Sequence, residues 1–191
     1  MKNIIAFDVD NVVCNFHQLL DNYLKVRYGM SYNPIEYYAP LPPGSTQEEF
    51  NDEVNSLILT GSQNLKPITT SIKYLKKFYK FTERPLHFIT ARHPRNKKVT
   101  EHYLSKWLGK DIEFYVDFPE EHIKEPYLVG HDYFVDDKPG NIIPALNDGI
   151  IKVGFLYDQP WNQNCSEIPA KLIRIKNLKE VWTYVRTNCE Q

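Results

Sequence analysis

Two aspartates, Asp8 and Asp10, close the first apolar run of the chain, Ile4-Ile5-Ala6-Phe7. Such a short run reads as a buried parallel strand, and its carboxyl end is where open α/β sheets place their ligands. Two carboxylates there are costly unless a divalent metal and a phosphate compensate the charge. Further along, Phe88-Ile89-Thr90 ends a second apolar run with a hydroxyl, and Tyr133-Phe134-Val135 ends a third with Asp136-Asp137. Lys124 lies between them. Carboxylates, a hydroxyl and an ammonium drawn from separate strand ends suit phosphoryl transfer, in which a carboxylate attacks phosphorus and cations neutralise the charge that develops.

Each of these residues also has a plainer reading. Thr90 could cap a helix starting near Pro94, and Asp136-Asp137 could be a turn before Pro139-Gly140. Lys124 could be an exposed loop lysine, since Lys138 also lies near the acidic pair. Arg92 could bind phosphate or pair with an acidic neighbour.

The elements that would carry these groups alternate. Residues 15–28 place Phe16, Leu19, Leu20, Tyr23 and Leu24 at helical spacing, and Gly29 is a plausible stop. Residues 31–44 are rich in Tyr and Pro and read as irregular. Thr46-Gln47-Glu48-Glu49 has the form of a capping box opening a helix to about Leu59. Further helices are expected over 67–80, 94–108 (Pro in the first turn) and 177–187. Strands are expected over 85–90, 112–116, 132–136 and 150–156. Strands alternating with helices imply a three-layer α/β fold around a parallel sheet. Residues 15–70 break the alternation and read as a small helical cap inserted after the first strand, leaving 1–14 and 71–191 as the core. The run Arg95-Asn96-Lys97-Lys98 reads as a solvated helix face.

Composition limits the partners. A net charge of −1 offers no basic field for duplex nucleic acid. No apolar stretch reaches the roughly 18 residues that span a bilayer. The N-terminus carries no secretory pattern, and the three cysteines, Cys14, Cys165 and Cys189, suggest neither a disulfide framework nor a zinc site. A reducing, cytoplasmic compartment fits best. Cys14 reads as a small buried hydrophobe.

Taken together, Asp8-Val9-Asp10-Asn11-Val12, Thr90 in Ile89-Thr90-Ala91-Arg92, Lys124 and Asp136-Asp137 resemble, in order and spacing, the four motifs of the haloacid dehalogenase (HAD) superfamily of phosphotransferases. The resemblance spans residues 4–156. Within the superfamily the chain is similar to the 5'(3')-deoxyribonucleotidases. The cap is small and precedes the second motif, Lys124 lies close before the acidic pair, and Pro160-Trp161-Asn162 follows a late strand. The family's usual Gly-Thr after the second aspartate is Asn11-Val12 here.

That resemblance implies a Rossmann-like HAD core and an aspartyl-phosphate mechanism. Asp8 would be the nucleophile, and Asp10 the general acid and then base, with its pKa raised by Asp8, Asp136 and Asp137. Mg2+ would be held by Asp8, the Asp10 carbonyl and Asp136, with Asp137 beside them. Thr90, Ala91, Arg92 and Lys124 would hold the phosphate. The implied substrate is a small phosphomonoester, most naturally a nucleoside monophosphate. Phe16 is the first candidate to stack on its base, ahead of Tyr32, Tyr37, Tyr38 and Phe50, although for any one of them the plainer reading, a place in the cap's own core, is the stronger. The alternatives are a HAD phosphatase for sugar phosphates or polynucleotide-end phosphates, a phosphoprotein or general phosphate-ester hydrolase of loose selectivity, or a catalytically idle binding protein.

Overall fold

The computed structural model describes residues 4–31, 41–165 and 169–189. Six strands form one parallel sheet: β1 (Ile5–Phe7), β2 (Leu86–Ile89), β3 (Phe114–Asp117), β4 (Tyr133–Asp136), β5 (Val153–Tyr157) and β6 (Leu172–Ile175), in the order β3-β2-β1-β4-β5-β6. The expected three-layer α/β architecture is therefore present. The chain leaves β1 toward β2 and β3, then returns to lay β4 against the other side of β1. This reversal opens a crevice at the carboxyl ends of β1 and β4. The register fixes the ends side by side, with Phe7 opposite both Phe88 and Val135.

Alternation along the strands divides the core. Ile5, Phe7, Phe88, Tyr133, Val135 and Phe155 face one layer, formed with α3 (Thr69–Thr82), α4 (Lys97–Leu108) and α6 (Leu178–Cys189). Ala6, Ile89, Phe134 and Leu156 face the other, covered by α5 (Pro139–Asn147) and a 3-10 turn over Glu125–Leu128. Gly154 stands where a Cβ would come within 2.1 Å of Ile142 on α5, so only glycine allows that helix so close to β5.

Between β1 and β2 lie α1 (Phe16–Tyr28) and α2 (Gln47–Gly61). Gly29 ends α1 at φ 64°, a left-handed conformation that favours glycine. Thr46 and Glu49 form the expected reciprocal capping box, with the Glu49 N–H donating to Thr46 Oγ1 at 3.2 Å and the Thr46 N–H to Glu49 Oε2 at 2.8 Å. Leu20, Leu24 and Phe50 give the two helices a small apolar cluster of their own.

Two elements differ from the sequence expectation. Helix α5 begins at Pro139-Gly140, the pair before which a turn is the plainer expectation, and contains Pro144. Pro139 stands in the first turn, where a missing N–H costs nothing, and the bond Pro144 lacks would go only to the first turn. Strand β6 carries only a weak sequence signal, because Arg174 interrupts its apolar residues. The expected solvated face over 95–98 is also only partly so. Arg95 pairs with Asp52 of α2 at 2.8 Å, and buried Asn96 donates to Asn55 at 2.9 Å. No helix among the described residues is long and apolar enough to cross a membrane.

Candidate active site

Asp8 follows β1 directly and Asp136 closes β4, so the neighbouring strand ends deliver two buried carboxylates to one point. Asp137 adds a third. One oxygen of each lies within 4.8 Å of the others. Lys124, at the start of the 3-10 turn and 1% exposed, bridges two of them, donating to Asp8 Oδ1 at 2.6 Å and Asp136 Oδ2 at 2.8 Å. Its reading as an exposed loop lysine therefore fails.

The carboxylates are anchored by neutral donors. Asp136 accepts from the Lys138 backbone N–H at 2.8 Å and from Asn141 Nδ2 at 2.9 Å. Asp137 accepts from Asn11 Nδ2 at 3.2 Å, and its main-chain carbonyl accepts from Asn162 Nδ2 at 2.9 Å. Asn11 has φ 60°, a left-handed conformation that asparagine tolerates better than most non-glycine residues. Asn11 thus makes the turn and adds a side chain that binds Asp137 and, through Oδ1, the His17 backbone N–H at 3.0 Å. Gln159 Nε2 donates to the Asn11 carbonyl at 3.0 Å.

One ammonium does not balance three carboxylates. Burial pushes the Asp8 carboxyl up to about 7, with Asp136 and Asp10 adding to the rise against Lys124. Burial, then Asp136 and Asp8, raise Asp137 well above the usual carboxylate range. Such a donor set, hard oxygens with excess negative charge, fits a divalent cation such as Mg2+.

Asp10 has a different environment. Its carboxylate accepts from Arg92 Nη2 at 2.6 Å and Nε at 2.9 Å, while Arg92 Nη1 donates to Thr100 at 3.0 Å. Arg92 therefore takes the acidic-neighbour reading. Burial pushes the Asp10 carboxyl up, but the charge and hydrogen bonds of Arg92, joined by Cys14 and Lys124, outweigh it and leave it below its ordinary value. The expected rise of the Asp10 pKa is thus reversed by a cation the sequence did not assign to it. Cys14 is buried and donates to Asp10 Oδ1 at 3.3 Å.

Thr90 is buried at the end of β2, where its hydroxyl accepts from the Arg92 backbone N–H at 3.3 Å. It does not cap the turn at Pro94–Asn96, a role taken by His93. Ala91 is exposed and lines a cleft of about 690 Å3 together with Asp8, Asp10, Arg92, Lys124 and Asp137. Across the cleft stand Phe16 from α1 and Gln47, Phe50, Asn51 and Asn55 from α2. Tyr32, Tyr37 and Tyr38 lie outside the described residues. Asn141 and the α2 amides carry no signal in the sequence, whereas Asn11 lies inside the first motif and Asn162 in the Pro160-Trp161-Asn162 segment, though sequence alone assigns neither a role in the site.

No protein-family profile matches the chain, and no curated protein matches it in sequence. Solved structures do match in fold. A provisionally assigned phosphoglycolate phosphatase from Lactobacillus plantarum aligns at a TM-score of 0.61 and 10% identity over 96% of this chain and 99% of its own. A HAD family hydrolase from Deinococcus radiodurans R1, with bound phosphate and sodium, aligns at 0.60 and 12% identity over 97% and 96%. A family IA HAD hydrolase from Entamoeba histolytica aligns at 0.56 and 15% identity over 93% and 94%. The fold of the chain is that of the HAD hydrolases.

Proposed function

We propose that the chain is a Mg2+-dependent HAD-type phosphomonoester hydrolase acting through an aspartyl-phosphate. We propose further that its substrates are nucleoside monophosphates, as in a 5'(3')-deoxyribonucleotidase. The observation that carries the reading is the convergence of Asp8, Asp136 and Asp137 at the floor of the cleft, with Lys124 bridging the first two. A neighbour of the same fold, the Deinococcus hydrolase, has bound phosphate.

Asp8, Asp136, Asp137 and the main-chain carbonyl of Asp10 would hold the ion. Bound there, Mg2+ supplies positive charge that lets an anionic phosphoryl group approach a carboxylate. Asp8 attacks phosphorus, and the bond from phosphorus to the ester oxygen breaks. The leaving oxygen takes its proton from Asp10. Water then attacks the aspartyl-phosphate, returns a proton to Asp10, and frees Asp8 and inorganic phosphate. The arginine-bound Asp10 carboxylate has the protonation state that the second step requires. To donate in the first step, one Asp10 oxygen must leave Arg92 and take up a proton. Lys124 neutralises charge on the transferring group, and Thr90 with the N–H groups near Ala91 holds its oxygens.

Helices α1 and α2 serve as the cap, and Phe16 stacks on the base. Hydrolysis of p-nitrophenyl phosphate tests the core of the reading. It should require Mg2+ and fall by about 10⁴-fold or more in Asp8→Asn, as for other lost nucleophiles. Retained activity in Asp8→Asn would remove Asp8 from its role.

A further inference from the structure

Beyond the catalytic floor, the cleft is walled by one face of α2. Gln47, Asn51 and Asn55 recur at four-residue spacing, which puts their side chains on a single stripe, and all three line the cleft. The stripe is ordered internally. Gln47 Nε2 donates to Asn51 Oδ1 at 2.9 Å, and Asn55 Oδ1 accepts from buried Asn96 at 2.9 Å. These bonds use one donor of Gln47 and the acceptor of Asn51. The row therefore still presents an acceptor oxygen on Gln47 beside donor hydrogens on Asn51. Phe16 and Phe50 supply apolar surface next to it.

The same cleft is poor in fixed positive charge. Its two permanent cations, Arg92 and Lys124, are both committed to carboxylates. The α2 wall adds Glu48 and Asp52. A substrate with a second anionic group, whether a carboxylate or another phosphate, meets no uncommitted Lys or Arg among the described lining residues and faces Glu48, while Asp52 is already paired with Arg95.

We infer that the amide row on α2 determines specificity, and that the substrate has an uncharged remainder carrying adjacent hydrogen-bond donors and acceptors, the edge of a nucleobase, while phospho-carboxylates and bisphosphates are rejected. The inference rests on the phosphomonoesterase reading and deepens it. A paired donor and acceptor on a planar ring match an amide pair, which a sugar hydroxyl array does less selectively.

The test compares kcat/KM, with Mg2+ present, for p-nitrophenyl phosphate, the four deoxynucleoside 5'-monophosphates, deoxyribose 5-phosphate and phosphoglycolate. In the wild type, at least one deoxynucleotide should exceed deoxyribose 5-phosphate about 10-fold or more, with phosphoglycolate lower still. Gln47 and Asn51 are exposed, so Gln47→Ala and Asn51→Ala should fold. Each should lower the ratio of the best nucleotide to p-nitrophenyl phosphate by about 3- to 10-fold, through KM. Asn51→Lys should raise phosphoglycolate turnover relative to that nucleotide. Unchanged ratios in all three variants would overturn the proposal while leaving the hydrolase reading intact. A wild type that prefers phosphoglycolate would do the same. A protein that hydrolyses none of the esters would overturn both.

Discussion

Asp8, Asp136, Asp137 and Lys124 form one buried polar cluster at the sheet, and His87, His131 and Asp117 form another on the neighbouring strands. In the second, His87 Nε2 lies 2.8 Å from Asp117 Oδ2, and His87 Nδ1 lies 2.8 Å from His131 Nε2. His131 Nδ1 is 3.2 Å from the Leu128 carbonyl. His87 with its hydrogen on Nε2 donates to Asp117 and accepts on Nδ1 from His131 Nε2–H, while His131 Nδ1 donates to the Leu128 carbonyl only when it too carries a hydrogen. The site's carboxylates have no such arrangement, because one ammonium leaves negative charge over. Asp8 and Asp137 also line a cleft. One cluster closes on itself and ties the turn after Lys124 to β2, while the other needs a positive ligand to be complete. Buried polarity alone therefore does not mark a functional site; uncompensated charge at an opening does.

Removing the cation from the first cluster should sharpen the contrast most. Lys124→Met should reduce turnover by about 10²- to 10³-fold. In chelator it should also unfold at lower temperature than the wild type, because three buried carboxylates are left without their counter-charge. Added Mg2+ should restore more of the melting temperature in the variant than in the wild type, since binding energy adds to folding. Equal metal responses in thermal melts would break the comparison.

A pH titration of stability probes the second cluster. Burial, then repulsion from His131, pushes His87 down from 6.5 to about 4, because a second hydrogen on its Nδ1 would meet the one on His131 Nε2. The other charges facing the pair are Asp117 and, toward His131, Asp132. Between those two pH values the unfolded chain binds the proton and the folded one does not. This part of the stability is complete above pH 6.5 and lost as pH falls toward 4. The raised Asp8 and Asp137 carboxyls contribute the opposite slope over that window, so His87→Gln, compared with the wild type, should remove a downward component of melting temperature as pH falls from 6.5 toward 4. A variant with the wild-type slope would contradict the assignment.

The smallest expected effect lies at the edge of the site. Asn11→Gly keeps the left-handed turn but loses the bonds to Asp137 and His17, at a cost of about 1–2 kcal/mol in chemical denaturation. Asn11→Ala should cost about 1 kcal/mol more, because alanine is strained at that φ. The reverse order would mean that the turn conformation does not matter.

Much of this was legible in the residues. Asp8, Asp136 and the lysine between them were readable because each motif is local and ends an apolar run. The Thr46 capping box and the Gly29 stop are likewise short-range signals. The partner of Asp10 was not readable, since Arg92 lies 82 positions away and an arginine can serve phosphate or carboxylate equally. Helix α5 was hidden by prolines whose cost depends on their place in the first turns. The amide row on α2 becomes visible only when the helix is set against the strand ends.

Calorimetric titration of Mg2+ into metal-free protein tests the acidic cluster most directly. The account predicts a single binding event in the wild type, weakened at least about 10-fold in Asp136→Asn of unchanged circular dichroism, as expected when an ion loses a charged oxygen donor. Equal affinity in the two proteins would contradict it.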